Sequence, residues 1–429
     1  MRRPRNEARR AGSDRERDPA IPAGDRFLAQ LARMLHEAGS PAYRLEAIVT
    51  QCARRLGLDA YIFSLPTSVN LAVVSEDGGQ RVTHFRVDPG SPDIALLEET
   101  FRVADQVASG ELDAPGGLAA LRTVEARAWR PPRWMRCLGI GLSSGGAAVF
   151  LGGSWVELAA TIVVGLALGW ILTLARGRRE LEALSELGGG FVGSVLSALL
   201  VHALGRVGID ANLSVVSLGA IVLLLPGLSL ATAMAELATR NLASGSARLM
   251  GAVTSLVAIG MGAAIGSRLV QALGLLPASA EGVAVRFEGV VRAETAVALV
   301  FVSIGLAIVF HARIRRAWIV LISCVLGFGA AQFARTLVGV EFAPVLAAAM
   351  IGVAGNVYSS RRRRPTIAVI VPGIVLLLPG SIGFRGIQGV LASDTVAGIS
   401  TTVSALVVAA SIAAGLLVAN ALVPPPRES

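Results

Sequence analysis

Four polar side chains stand in sequence that is otherwise apolar over long stretches: Glu236, Asn241, Arg385 and Asp394. Ionisable groups are expensive to hold in lipid and mark ion or substrate paths. Asp394 is a carboxylate that could gain and lose a proton in each transport cycle, and it is the expected proton-coupling residue. Asn241 could hydrogen-bond a substrate, Arg385 could pair with Asp394 or with a substrate carboxylate, and Glu236 could accept an ammonium group. All four follow one of two Pro-Gly pairs, Pro226-Gly227 and Pro379-Gly380, the second continued by Ser381. A proline inside a membrane helix frees backbone groups. These are tolerated only where buried in protein or lining a cavity. Past such a break, the N-terminus of the next half-helix offers N–H groups and a positive dipole end to a carboxylate. The expected substrate-binding set is therefore Pro226, Gly227, Glu236, Asn241, Pro379, Gly380, Ser381 and Arg385. The alternatives are a packing kink for the prolines and, for Arg385 and Asp394, a place in water at a span end.

The two Pro-Gly pairs belong to one string that occurs twice, Ile-Val-Leu-Leu-Leu-Pro-Gly, at Ile221 to Gly227 and at Ile374 to Gly380, an offset of 153 residues. The same offset pairs Asn241 with Asp394, Gly245 with Gly398, Ile259 with Ile412 and Gly262 with Gly415. A polar residue and a glycine at matched distances indicate an internal duplication.

A second group of candidates lies near the N-terminus: His36, Arg44 and Glu46. His36 and His84 with Glu46 could form a metal or hydrolytic site, although no HExxH or GxSxG motif is present. The plainer reading is a helix-hairpin corner carrying Arg44 and Glu46 as surface charges. Glu157 and His202 are further intramembrane candidates. Gln332 and Asn356 suit interhelical hydrogen bonds.

The elements that must position these residues follow from composition. Of 429 residues, 53% are hydrophobic and 16% charged, and most of the charge lies before residue 137. Beyond it come apolar runs of roughly 20 residues, enough to span a hydrocarbon core. The expected fold is a polytopic α-helical membrane protein of about ten spans, preceded by a small α/β domain. The spans are expected at 137–153, 155–175, 187–205, 212–238, 247–275, 293–311, 317–335, 343–358, 366–392 and 394–422. The domains are expected as a disordered tail (1–24), a cytoplasmic α/β domain (25–126), a juxtamembrane linker (127–136), a first five-helix repeat (137–275), an extracytoplasmic loop (276–292), a second five-helix repeat (293–422) and a cytoplasmic tail (423–429). In the soluble domain, Ser40-Pro41 and Ser91-Pro92 read as helix starts, with strands at 60–65, 69–75 and 81–87 and a hairpin turn at Glu76 to Gly79.

The net charge of +9 is all arginine. Twelve arginines fall in loops placed inside and four in loops placed outside, which argues that both termini are cytoplasmic. Arg127 to Arg136, with Trp129 and Trp134, marks a membrane interface and is not read as a nucleic-acid patch. Three scattered cysteines suggest neither disulfides nor zinc, and no cofactor is expected. With an odd number of spans in each half, the halves must be inverted in the membrane, the architecture of many secondary transporters.

Three strings carry a resemblance: His36, Gly39, Arg44 and Glu46 followed by Leu65-Pro66-Thr67; Leu224-Leu225-Pro226-Gly227 with Asn241, Ser244, Gly245, Arg248 and Leu249; and Leu378-Pro379-Gly380-Ser381. In this order they resemble the bacterial threonine/serine exporters in their fused two-module form, over residues 26–422. The resemblance implies proton-driven export of L-threonine and L-serine, or similar small amino acids, across the bacterial inner membrane. Protons, the amino acid and lipid would be the partners, and a homo-oligomer is compatible with it. It also implies an N-terminal domain for which a hydrolase activity has been suggested. Asn241 departs from the acidic residue expected in relatives. A membrane-anchored hydrolase and a small-solute channel or sensor are the alternatives.

Overall fold

The structure, a computed structural model, describes residues 21–74, 79–87, 92–175, 181, 184–275, 293–362, 366–377 and 379–424. Most of the expected hairpin turn at 76–79, the tail through residue 20, the loop 276–292 and residues 425–429 lie outside these.

Two amphipathic helices, α1 (Ala23–Glu37) and α2 (Ala42–Arg55), open the chain. The first begins inside the segment expected to be a tail, because Phe27, Leu28 and Leu31 of its first turns are buried completely. It ends at Gly39, whose φ of 84° closes the helix in the left-handed region. Three antiparallel strands follow in the order β1-β2-β3: β1 (Asp59–Leu65), β2 (Ser68–Val74) and β3 (Gln80–Arg86). Val69, Leu71, Val73 and Phe85 face the helices, while Tyr61, Phe63 and Val82 stay exposed on the opposite face, as period-two alternation dictates. Then come α3 (Ile94–Ala108) and α4 (Ala114–Ala126). The cap of α3 is Asp93, which accepts from Leu96 N at 2.9 Å; Ser91, read as the helix start, lies outside the described residues.

The remainder is helical: α5 (Arg133–Phe150), α6 (Trp155–Ala175), α7 (Ser185–Arg206), α8 (Leu213–Ile221), α9 (Gly227–Ala238), α10 (Leu242–Ala272), α11 (Ala293–Val309), α12 (Ala317–Arg362), α13 (Ile367–Val375), α14 (Pro379–Leu391) and α15 (Thr395–Leu422). Among the described residues, seven helices are long and apolar enough to cross a membrane, or eight when the pair α8–α9, bent by 52°, counts as one. The chain is thus a polytopic helical membrane protein. Helix α12 contributes two of these spans, because Gly339, with φ 77° and ψ 174°, breaks it. Small residues let helices approach closely: the backbone of Gly190 on α7 lies against the Ile259 carbonyl of α10, and Gly262 on α10 lies against the Leu187 carbonyl.

The N-terminal domain packs on one end of this bundle. Its core is continuous with Phe310, Ala312, Val320, Ile367 and Val371, and Leu223, Leu228, Val375 and Leu376 pack against the same cluster. Polar contacts line the seam. Ile94 N donates to Phe310 O at 2.9 Å, and His311 meets Asp93 at 2.9 Å under the edge of Trp129. Arg313 pairs with Glu99 at 3.0 Å, and Arg316 with Glu98. At the far end of the bundle, Glu157 at the start of α6 accepts from Asn212 N at 2.8 Å and from Ser154 N at 2.8 Å. Glu157 is a cap and inter-loop tie in this arrangement. Asn356 joins α12 to α15 through Asn420 at 2.9 Å and Val423 O at 2.7 Å, as its sequence context suggested.

Candidate functional site: two broken helices and the seam beneath them

The first break is built stepwise. Helix α8 tightens into a 3₁₀ turn over Val222–Leu224, and Leu225 turns extended. Pro226, at φ −79° and ψ 43°, then turns the chain so that Gly227 N donates back to Leu225 O at 2.8 Å, a γ-type turn. Helix α9 starts at Gly227. In the second copy α13 ends at Val375, Leu377 N bonds Ile374 O at 2.9 Å, and α14 starts at Pro379, where a missing N–H costs nothing.

The two breaks meet. A Cβ placed on Gly227 would lie 3.0 Å from Gly380 N, and one on Gly380 would lie 2.9 Å from Gly227 N. Only glycine at both positions lets the backbones touch this closely. Two helix N-termini therefore abut at one point, each with first-turn N–H groups that have no intrahelical partner. Pro379, Gly380 and Ser381 are buried there. Pro226, Gly227, Pro379, Gly380 and Ser381 thus converge. Arg385, partly buried, stands one turn further along α14.

Glu236, Asn241 and Asp394 do not join this point. Glu236 is nine residues beyond Gly227, about 13 Å at 1.5 Å per residue. Asn241 and Asp394 are the residues immediately before α10 and α15. Their turns are copies of one another. Arg240 and Ser393, preceding them, both have positive φ, 64° and 70°. Asn241 N bonds Glu236 O at 2.8 Å, and Asp394 N bonds Gly389 O at 3.0 Å, pairs related by the sequence offset. Gly245 N and Gly398 N close onto Asn241 O and Asp394 O at 2.9 Å each. The side chains differ. Asp394 is exposed and caps α15 by accepting from Ala397 N at 3.3 Å. Asn241 makes no such cap and donates to Thr239 O at 3.3 Å.

Glu236 sits instead in the seam with the N-terminal domain, with no exposed surface. Its Oε2 accepts from Ser244 Oγ at 2.9 Å and from Arg248 Nε at 3.2 Å. Its Oε1 accepts from Arg248 Nη2 at 3.2 Å and from Ala42 N, the first amide of α2, at 3.0 Å. Two residues on, Arg44 donates to Thr366 Oγ1 at 2.6 Å and stacks over Phe101, 5.1 Å from the ring centroid. The expected cap for α2, Ser40, does not serve: its hydroxyl is buried without a hydrogen-bond partner. A carboxylate 194 positions away takes that role. Arg44 and Glu46 are correspondingly not surface charges. Glu46 accepts from Ser64 N at 2.9 Å, and burial raises its pKa above the ordinary carboxylate range.

His36 is buried beside them. Its Nε2 lies 3.0 Å from Pro66 O, an acceptor, so this nitrogen carries the proton and Nδ1 accepts from Ser64 Oγ at 3.3 Å. Burial lowers its pKa, and the Pro66 bond opposes that shift. A serine donating to a histidine has the form of a nucleophile–base pair, but Ser64 is 2% exposed and sealed in the domain core. His84 is elsewhere, on the exposed sheet face against Asn70 at 2.6 Å. The cleft that would unite His36, Glu46 and His84 does not form. Among the described residues no cluster of three or more metal-ligating side chains occurs. The sequence had not marked Ser64, although it borders the Leu65-Pro66-Thr67 string and alternates onto the inner face.

A bundle of apolar helices whose two prolyl breaks abut, with an α/β domain keyed to one end, makes a polytopic membrane protein. A family described as "Putative threonine/serine exporter" matches residues 26–270, and one described as "Threonine/Serine exporter, ThrE" matches residues 295–422. The chain belongs to the threonine/serine exporter family, with both modules fused. It is also similar to proteins named "Pheromone-regulated membrane protein 10". For that of Debaryomyces hansenii, identity is 22% over 388 residues, 88% of this chain and 38% of the relative. For that of Saccharomyces cerevisiae it is 24% over 394 residues, 88% of this chain and 49% of the relative. The chain spans less than half the length of these relatives. No solved structure matches it.

Proposed function

We propose that the protein exports L-threonine, L-serine or a similar small amino acid across the bacterial inner membrane, driven by the proton motive force. The observation that carries this is the abutment of Gly227 and Gly380. Two like dipole ends at one point repel unless an anion lies beside them, and a substrate carboxylate is that anion. Ser381 and Arg385 on α14 stand on the same side of the break. The half-helices arriving at the breaks, α8 and α13, end in carbonyl groups that suit the ammonium of the same zwitterion. Asp394, exposed in its cap, can equilibrate with outer water and is the proposed proton acceptor.

The ten-span, inverted arrangement is part of the proposal. In its support, the domain-side contacts fall at the end of α9, at the end of α11, at the start of α12 and at the start of α13. The first copy of the string therefore runs toward the domain and the second runs away from it. With arginine-rich loops inside, the domain end is cytoplasmic.

Counterflow in proteoliposomes tests the reading: internal unlabelled threonine should drive uptake of labelled threonine, and a pH gradient should drive net flux. Asp394→Asn with normal expression and undiminished gradient-driven efflux would remove the proposed proton site.

A further inference from the structure

We propose that the N-terminal domain is the inner gate of the transport path and that Glu236 is the carboxylate that latches it. The inference rests on the export reading above, and it assigns the domain a task.

The latch is a wedge between the two copies. The first turn of α2 bonds Glu236, at the end of α9, through Ala42 N at 3.0 Å, and Thr366, before α13, through Arg44 at 2.6 Å. Those two helices belong to the two broken spans. They cannot part at this end while α2 holds both. The domain's apolar core continues upward to Leu223 and Leu228 beside one break and to Val375 and Leu376 beside the other. The wedge therefore lies directly beneath the crossing.

Glu236 suits a reversible latch better than a permanent rivet. Of its four donors, three belong to α10: Ser244 Oγ and the two guanidinium nitrogens of Arg248. Only Ala42 N–H comes from the domain. When the domain lifts, the carboxylate keeps a bidentate arginine and a hydroxyl, so release costs one charge-assisted bond and does not strand a bare buried charge. The element has two satisfiable states, the requirement for a two-state switch. Ser244 and Arg248 face Glu236 from α10, and His36, Tyr43 and Glu46 act on it electrostatically from the domain. The second copy has no equivalent: the residues matching Glu236, Ser244 and Arg248 are Gly389, Ala397 and Thr401.

The test uses the full chain in lipid nanodiscs and proteoliposomes, with two variants that act from opposite sides of the seam. Glu236→Gln keeps size and removes charge. Ala42→Pro removes only the donor, since Pro41 already has ψ 151° and proline is well accommodated in a first helical turn. Amide exchange of Tyr43 to Leu45, read by mass spectrometry, should rise about tenfold in each variant relative to wild type, the change expected when one charge-assisted bond is lost. Threonine leak without a proton gradient should rise alongside it. Unchanged exchange in both variants overturns the latch, whatever the wild type transports. Faster exchange with no added leak overturns the gate. Faster exchange in a protein whose wild type moves no threonine overturns the export reading and leaves the latch standing.

Discussion

The duplicated segments 221–262 and 374–415 repeat one break-and-turn pattern and differ in what they carry. Both break at Pro-Gly, both end in a left-handed residue, Arg240 or Ser393, and both restart a long helix whose glycine, Gly245 or Gly398, packs back on the preceding one. The first copy adds a buried carboxylate with an arginine and a serine, and the N-terminal domain docks there. The second has glycine, alanine and threonine at those places and ends in an exposed, capped turn. The shared part makes the crossing. The unshared part docks the N-terminal domain on the first copy alone.

The comparison can be broken at several places. The largest effect is expected from Glu236→Ala. It strands Arg248, whose side chain is 17% exposed, and should cost about 3 kcal/mol, the lower end for a buried pair losing one partner. Thermal unfolding in detergent would show it, and a fall well under that would make the seam incidental. Next is Gly380→Ala, whose Cβ would meet Gly227 N at 2.9 Å. Overpacking should cost about 1–3 kcal/mol and push the breaks apart, abolishing counterflow. The capping turns separate more finely. Asp394→Ala should lose about 1 kcal/mol, whereas Asn241→Ala, with no cap bond to lose, should lose a few tenths at most. Equal losses would erase the distinction between the turns.

The smallest effect is a slope with pH. The folded state binds the His36 proton later than the unfolded state does, because burial lowers the folded pKa. Stability from this group is complete above the ordinary value of 6.5 and drains away as pH falls below it. Glu46 works in the opposite sense. Its raised pKa makes the folded carboxyl take its proton first, which adds stability as pH drops toward 4.5. Denaturant titrations of wild type and His36→Gln at about pH 7 and about pH 5.5 isolate the histidine contribution, which should be lost at the lower pH in wild type alone.

Much of this architecture was legible in the chain. Spans announce themselves by length and hydropathy: seven or eight of the ten expected ones are long and apolar enough to cross a membrane among the described residues, while α5 and the shorter α11 do not meet that test. The largest shift of a boundary is at α10, which starts at Leu242 rather than 247 because the chain turns at Arg240 and Asn241 and re-enters helix at once. The meeting of the breaks was readable from duplicated Pro-Gly pairs. The seam was not. Nothing local tells that the first amide of α2 is satisfied by Glu236, so Ser40 looked like the cap. Arg44 and Glu46 looked like surface charges because a single helix face cannot show what another module places against it. Glu236 stood out as an intramembrane carboxylate, but its partner across the seam, Ala42 N, needed three dimensions.

The most direct measurement sets threonine against threoninol, which keeps the ammonium and side chain but lacks the carboxylate, in counterflow through reconstituted protein. If paired helix N-termini at Gly227 and Gly380 hold the substrate by its carboxylate, threonine will exchange and threoninol will neither exchange nor compete. Equal competition by threoninol would contradict that account.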